Sequence, residues 1–368
     1  MKIKRSAEIV ISFSLLISAS SFAQSVSTPT VGFVTTTLAA NSDTIISPQV
    51  FRPSELTSSV SGVTSNATQA TLALSGASLT ANQFVYNAST QPNTYFALVT
   101  AGNLKGTYFM VASNDASSVT VNLDGLTAGS SDITAVEIRP CWTLKTLFPA
   151  SDANVSFTPS ASATGGTRRT TILFPSVTGT GVNRAAISTY FFNNATAVQD
   201  WVSTAATSVK AGDTAILPGT YVIHRNTGGT PVDLSLTHTG TLFTQTLTTY
   251  LATSSTTVSD NYVALPRPTD YTLSQLGLTD AAFTQSISKT GGGRRDTLLV
   301  VNPVGVGVNR AASSTYFKFA NDWYSTANTA VSTNNAVIHA GAAVVIRKVV
   351  SDGNDKVWAN DLNVSLAP

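Results

Sequence analysis

The chain carries a single cysteine, Cys141, in 368 residues. No disulfide can close within it, so stability has to come from packing and hydrogen bonding. Charge is scarce as well: acidic and basic residues make up 11% of the chain and nearly cancel, to a net +2. That leaves no broad field to hold nucleic acid or an acidic membrane. The three histidines, His224, His238 and His339, form no His-Glu-x-x-His or His-x-His pattern and have no cysteine partner. A zinc site is therefore not expected, and no metal or other cofactor is implied.

Glutamate is almost missing, with only Glu55 and Glu137 beyond the first residues. The carboxylate pair of a glycoside hydrolase would have to come from aspartate. No Gly-x-Ser-x-Gly elbow offers a serine nucleophile. The Gly-x-Gly phrases at Gly179 and Gly305 lack the Gly-Lys-Ser/Thr of a phosphate loop and read as turns, as does Asp352-Gly353-Asn354-Asp355. No catalytic residue emerges, and the chain is expected not to be an enzyme.

Only one long apolar run exists, Ile9 to Ile17, behind Lys2, Lys4 and Arg5 and ahead of Ser21-Phe22-Ala23. Too short for a bilayer and ending in small residues, it reads as a signal peptide over 1–23, cut before Gln24. The mature chain is expected to be exported, to the periplasm, cell surface or exterior, with no transmembrane helix.

What the chain has in abundance is Thr, Ser, Val, Gly and Asn, the residues of short strands and tight turns. TYFALV from Thr94, TYFMVA from Thr107, SVTVNL from Ser118, TTILF from Thr170, STYFF from Ser188, DTLLVV from Asp296 and AAVVIRKVV from Ala342 all read as strands. TLKTLF from Thr143 and TLSQLGL from Thr272 read as single helical turns, the second ended by Gly277. The expected fold is all-β: tandem duplicated sandwich-like or barrel-like domains with short strands and at most isolated helical turns.

The duplication shows in GVNRAAISTYF from Gly181 and GVNRAASSTYF from Gly307. Around them Arg168-Arg169 pairs with Arg294-Arg295, Asp200-Trp201 with Asp322-Trp323, and GTYVIHR from Gly219 with GAAVVIR from Gly341. RPCWTLKTL from Arg139 matches RPTDYTLSQL from Arg267, and Phe51-Arg52-Pro53 reads as a third, truncated opening. The expected division is an N-terminal β segment over 24–94, a first module over 95–232 and a second over 233–368.

Both copies keep Arg168 and Arg294, Asn183 and Asn309, Arg184 and Arg310, Tyr190 and Tyr316, and Trp201 and Trp323. Two uses suit such a set: a sugar-binding surface of aromatic faces and hydrogen-bonding side chains, or an assembly contact. The third use is structural, holding turns and cores.

VGFVTTTLAANSDTIIS with FRP, IRPCWTLKTLF, GGGRRDTLLV, GVNRAASSTYF and HAGAAVVIRK together resemble a paralogous family of exported bacterial proteins of unknown function. The resemblance covers nearly all the mature chain and implies secretion and a β-rich fold. It carries over no activity, substrate or site residue. The leading expectation is a structural or adhesive protein of the cell surface or matrix, self-associating or attached to envelope polysaccharide. A carbohydrate-binding protein using Trp201, Trp323 and nearby arginines comes second. An outer-membrane β-barrel comes third, against which stand short strands and a C-terminus without an aromatic end.

Overall fold

The computed structural model describes residues 30–150, 156–195, 197–303 and 305–360. The signal peptide expected over 1–23 lies outside the described residues. The chain opens with β1 (Val31–Leu38), β2 (Ser42–Ile46) and β3 (Val50–Phe51). In β1, Val31, Phe33, Thr35 and Thr37 face solvent, and Leu38 is buried. That is the period-two pattern of a strand with one face covered.

At Arg52-Pro53 the chain leaves this layer and builds a closed barrel. Its strands are β4 (Leu56–Ser65), β5 (Gln69–Leu74), β6 (Tyr95–Ala101), β7 (Tyr108–Asn114), β8 (Ser118–Asn122) and β9 (Ala135–Pro140). They close in the order β4-β5-β8-β7-β6-β9. Leu72, Phe84, Tyr95, Phe109, Val121 and Ile138 are among the side chains that pack its core. Closure pairs both outer strands, so no edge is left open.

The chain returns beside its point of departure. Arg139 Nη1 donates to the Arg52 carbonyl at 3.1 Å, and Arg52 Nη1 donates to the Cys141 carbonyl at 3.2 Å. Phe51-Arg52-Pro53 is therefore the exit into the barrel and not the opening of a third unit.

After the barrel come β10 (Trp142–Thr143) and α1 (Leu144–Leu147), whose first turn is closed by a reciprocal Thr143–Thr146 capping box. The sheet that follows takes β11 (Thr170–Phe174), β12 (Ser188–Asn193), β13 (Asp200–Ser203), β14 (Ala206–Lys210) and β16 (Val222–Asn226), while β15 (Ala215–Ile216) pairs with β10. Its antiparallel order is β14-β13-β12-β11-β16-β2, so a strand from the N-terminus completes it. β17 (Leu234–Leu242) then runs back between β1 and β3.

The second module is β18 (Leu247–Leu251), β19 (Ser259–Ala264), β20 (Tyr271–Thr272), β21 (Thr297–Val301), β22 (Ser314–Phe319), β23 (Asp322–Ser325), β24 (Val337–Ile338), β25 (Ala343–Lys348) and β26 (Lys356–Asn360). Its sheet, β19-β25-β21-β22-β23, has the order of β2-β16-β11-β12-β13. β18 pairs with β26 as β1 pairs with β17, and β20 with β24 as β10 with β15. The 3-10 turn at Leu273–Leu276 ends where Gly277 adopts φ 66°, a conformation open to glycine without a Cβ penalty.

The chain is thus all-β, with one short helix among the described residues. The division differs from the boundaries expected above. Residue 94 falls between β5 and β6, inside the barrel, and residue 232 precedes β17, which pairs with β1. Turn residues marked both places, but pairing with strands far away in sequence decides where each unit ends. No helix among the described residues is long and apolar enough to cross a membrane.

Candidate functional site

Trp201 is 1% exposed and Trp323 3%. Trp201 packs against Phe157 at 4.7 Å between ring centres, and its indole N–H donates to the Phe148 carbonyl at 3.3 Å. Trp323 packs against Phe283 at 5.1 Å. Neither offers a face to a sugar, so the expected Trp-based binding surface is corrected to two core anchors. Asp200 and Asp322 serve the same turns: Asp200 accepts from the Trp201 backbone N–H, and Asp322 from Asn334, which in turn accepts from the Trp323 N–H.

Arg168 lies over the Phe191 ring at 5.0 Å and Arg294 over Phe317 at 4.9 Å, the same stacking in both modules. Tyr190 packs edge-on against Phe174, and Tyr316 lies half-buried against the second core. These four brace single modules.

The GVNR loops behave differently. Gly181 and Gly307 sit at φ 109° and 105°, and Asn183 and Asn309 at 49° and 51°, which gives both loops one shape that glycine and asparagine tolerate. Each loop docks on the other module. Asn309 donates its backbone N–H to Asp43 Oδ2 at 2.6 Å, and Arg225 spans Asp43 Oδ1 and Oδ2 at 2.7 Å each. Arg225 also donates to Asn309 Oδ1 at 2.7 Å, and Arg310 donates to the Asp43 carbonyl at 3.2 Å.

The mirror cluster has Asn183 donating to Asp260 Oδ2 at 2.7 Å and Arg347 bridging Asp260 at 2.7 and 3.0 Å. There Arg347 donates to Asn183 Oδ1 at 3.1 Å. Arg184 stacks over Tyr262 of the second module at 5.3 Å while its guanidinium binds the Ser176 and Gly179 carbonyls. Backbone bonds tie each loop down: Asp43 N–H to the Gly307 carbonyl at 2.9 Å, Asp260 N–H to the Gly181 carbonyl at 3.0 Å. The carboxylates push the Arg225 and Arg347 pKa values up, chiefly by direct hydrogen bonding.

Apolar groups fill the seam between the clusters. Tyr221 and Tyr262 meet edge to face at 6.4 Å, with Ile45, Ala264 and Ala343 packed around them. Ala343 occupies in β25 the place that Tyr221 occupies before β16. One ring from each module therefore meets at the seam, which is not strictly symmetric, since Ala343 stands where the first module has Tyr221.

Asn183, Arg184, Asn309 and Arg310 thus form an assembly contact inside the chain. Their anchors Asp43 and Asp260 were missed by sequence reasoning. The signal that leads to them is the pair Thr35-Thr36-Thr37-Leu38-Ala39 and Thr248-Thr249-Tyr250-Leu251-Ala252, with Ser-Asp following after two further residues in the first and six in the second.

Two hollows adjoin the seam. One, of ≈ 240 Å³, is lined by Asp43, Arg184, Arg225, Tyr262, Asn309 and Arg310. The other, of ≈ 970 Å³, opens where the barrel meets both modules. Glu55 and Glu137 line neither. Glu55 accepts from the Tyr95 hydroxyl, and Glu137 pairs with Arg139 at 2.6 Å. His224 is wholly buried with Nε2 against the Ser156 carbonyl at 2.9 Å, and His238 is buried edge-on to Trp142. Exposed His339 pairs with Asp270 at 3.1 Å. Among the described residues no three His, Cys, Asp or Glu side chains cluster to hold a metal.

Comparison with protein-family models, curated proteins and solved structures finds no match to this chain.

Proposed function

We propose that the chain is an exported, non-enzymatic structural or adhesive protein of the cell surface or extracellular matrix. The observation that carries this reading is the use made of the residues both repeats keep. Trp201 and Trp323 anchor cores, Arg168 and Arg294 stack on module faces, and both GVNR loops lock one module to the other. Little that both repeats retain is left over for chemistry on a small molecule.

A route to association lies in β1, at the edge of its sheet, with Val31 63% and Phe33 75% exposed. VGFVTTTL contains no lysine or proline to blunt that edge. The barrel argues against the membrane-spanning alternative, because its apolar residues form a packed interior where a spanning barrel is polar.

Sedimentation of the mature chain, with fractionation of the cell envelope, tests the reading. Self-association or retention in a wall or surface fraction is expected, weakened by Phe33→Lys. A monodisperse monomer found in no such fraction overturns it.

A further inference from the structure

The ≈ 970 Å³ groove is walled by three bodies. Tyr108 and Asp124 come from the barrel, Pro218 and Thr220 from the first module, and Tyr250 and Asp355 from the second. The bodies are braced across it. Thr107 and Tyr250 share a hydroxyl–hydroxyl hydrogen bond at 3.2 Å, the Thr248 N–H donates to the Gly106 carbonyl at 2.9 Å, and the Ala264 N–H donates to the Gly219 carbonyl at 2.8 Å. The groove is therefore formed before any ligand arrives, and its volume lies at the upper end of known ligand clefts.

Its chemistry is one-sided. No lysine or arginine lines it among the described residues. Asp124 and Asp355 are exposed and make no hydrogen bond or ion pair with described residues, so their carboxylate oxygens are open to a ligand. Threonine hydroxyls and Asn261 fill the spaces between.

We propose that this groove binds a chain of neutral sugars. Tyrosine rings offer flat apolar faces to the C–H faces of pyranose rings. Carboxylates accept from sugar hydroxyls in charge-assisted bonds, stronger than neutral ones. Sulfated or uronate chains, phosphates and nucleic acid would meet Asp124 and Asp355 with no cation to offset them. The site is distinct from the buried tryptophans, and the inference stands on the groove alone, independent of the adhesive reading.

Titration calorimetry of the mature chain against neutral hexose and N-acetylhexosamine hexasaccharides, beside a sulfated hexasaccharide of equal length, tests it. Saturable binding to a neutral series is expected, weakened about tenfold or more in Asp124→Ala/Asp355→Ala and in Tyr250→Ala. Both aspartates are exposed, so the double variant should keep the wild-type melting temperature. Absence of binding to every neutral series, preference for the sulfated chain, or equal affinity in the aspartate variant overturns the proposal. The measurement uses isolated protein, so its failure leaves envelope attachment untouched, and the reverse holds.

Discussion

Asn309 donates its backbone N–H to the Asp43 carboxylate across 266 residues of chain, and Asn183 does the same to Asp260. Each repeat supplies the loop that closes the other. The chain thereby holds an interface of the isologous kind seen in two-fold dimers, with both halves on one polypeptide. This is what two copies of GVNRAA accomplish that one cannot.

Removing an anchor should loosen the seam. Asp43→Ala leaves Arg225 without its bidentate partner and the Asn309 N–H without an acceptor. Because Arg225 keeps 25% exposure, water compensates in part, and a loss of about 2–3 kcal/mol is expected in urea unfolding. Asp260→Ala should cost a similar amount, since Arg347 is 29% exposed.

The second module holds an ion pair where the first has none. Lys348 and Asp296 are in contact, 2% and 0% exposed, and Asp296 also accepts from the Thr284 N–H at 2.6 Å and the Val349 N–H at 2.9 Å. In the first module Thr170 and Asn226 face each other at the matching positions of β11 and β16. Asp296→Ala should destabilise by about 3–5 kcal/mol, because it strands a buried ammonium. The double variant Asp296→Thr/Lys348→Asn should recover most of that loss, measured by the same urea melts.

Stability should fall in acid through two histidines. Burial pushes His224 and His238 down to about 4 from 6.5. Between those values the unfolded chain binds protons that the folded chain refuses. Their contribution is whole above pH 6.5 and is lost as pH falls towards 4, by roughly 3 kcal/mol for each histidine. Copying the second module, with His224→Ile and His238→Asn after Ile346 and Asn360, should flatten the slope between urea melts at pH 7 and pH 4.5.

Cys141 should be inert in the folded chain. Its thiol is 1% exposed and burial raises its pKa to about 12, leaving almost no thiolate at neutral pH. An aromatic disulfide reagent at pH 8 should titrate one thiol in denaturant and react at least a hundredfold more slowly in buffer, a difference of about 2.7 kcal/mol.

Much of the local structure was legible. TTILF coincides with β11, STYFF lies within β12, and both helical turns fall where Leu spacing put them. Each of these depends on neighbours within a few residues: β-branched runs, turn punctuation and a capping threonine. The Trp and Arg roles were not legible, because a residue kept in two copies looks the same whether it faces solvent or a core. Asp296 and Lys348 left a fainter sign: both differ from their counterparts, one just ahead of β21 and the other at the end of β25, which pairs with β21.

Composition and pattern alone thus determined a β-rich chain without disulfides, built around a repeated phrase. Only the tertiary structure decided that β2 finishes a sheet begun more than a hundred residues later, and that residues from Leu56 to Pro140 close into a barrel. It also decided that the two loops exchange partners. The physical reason is that pairing, closure and docking are set by hydrogen-bond partners and complementary shapes brought together across the chain, and no local window of residues contains both sides of such a contact.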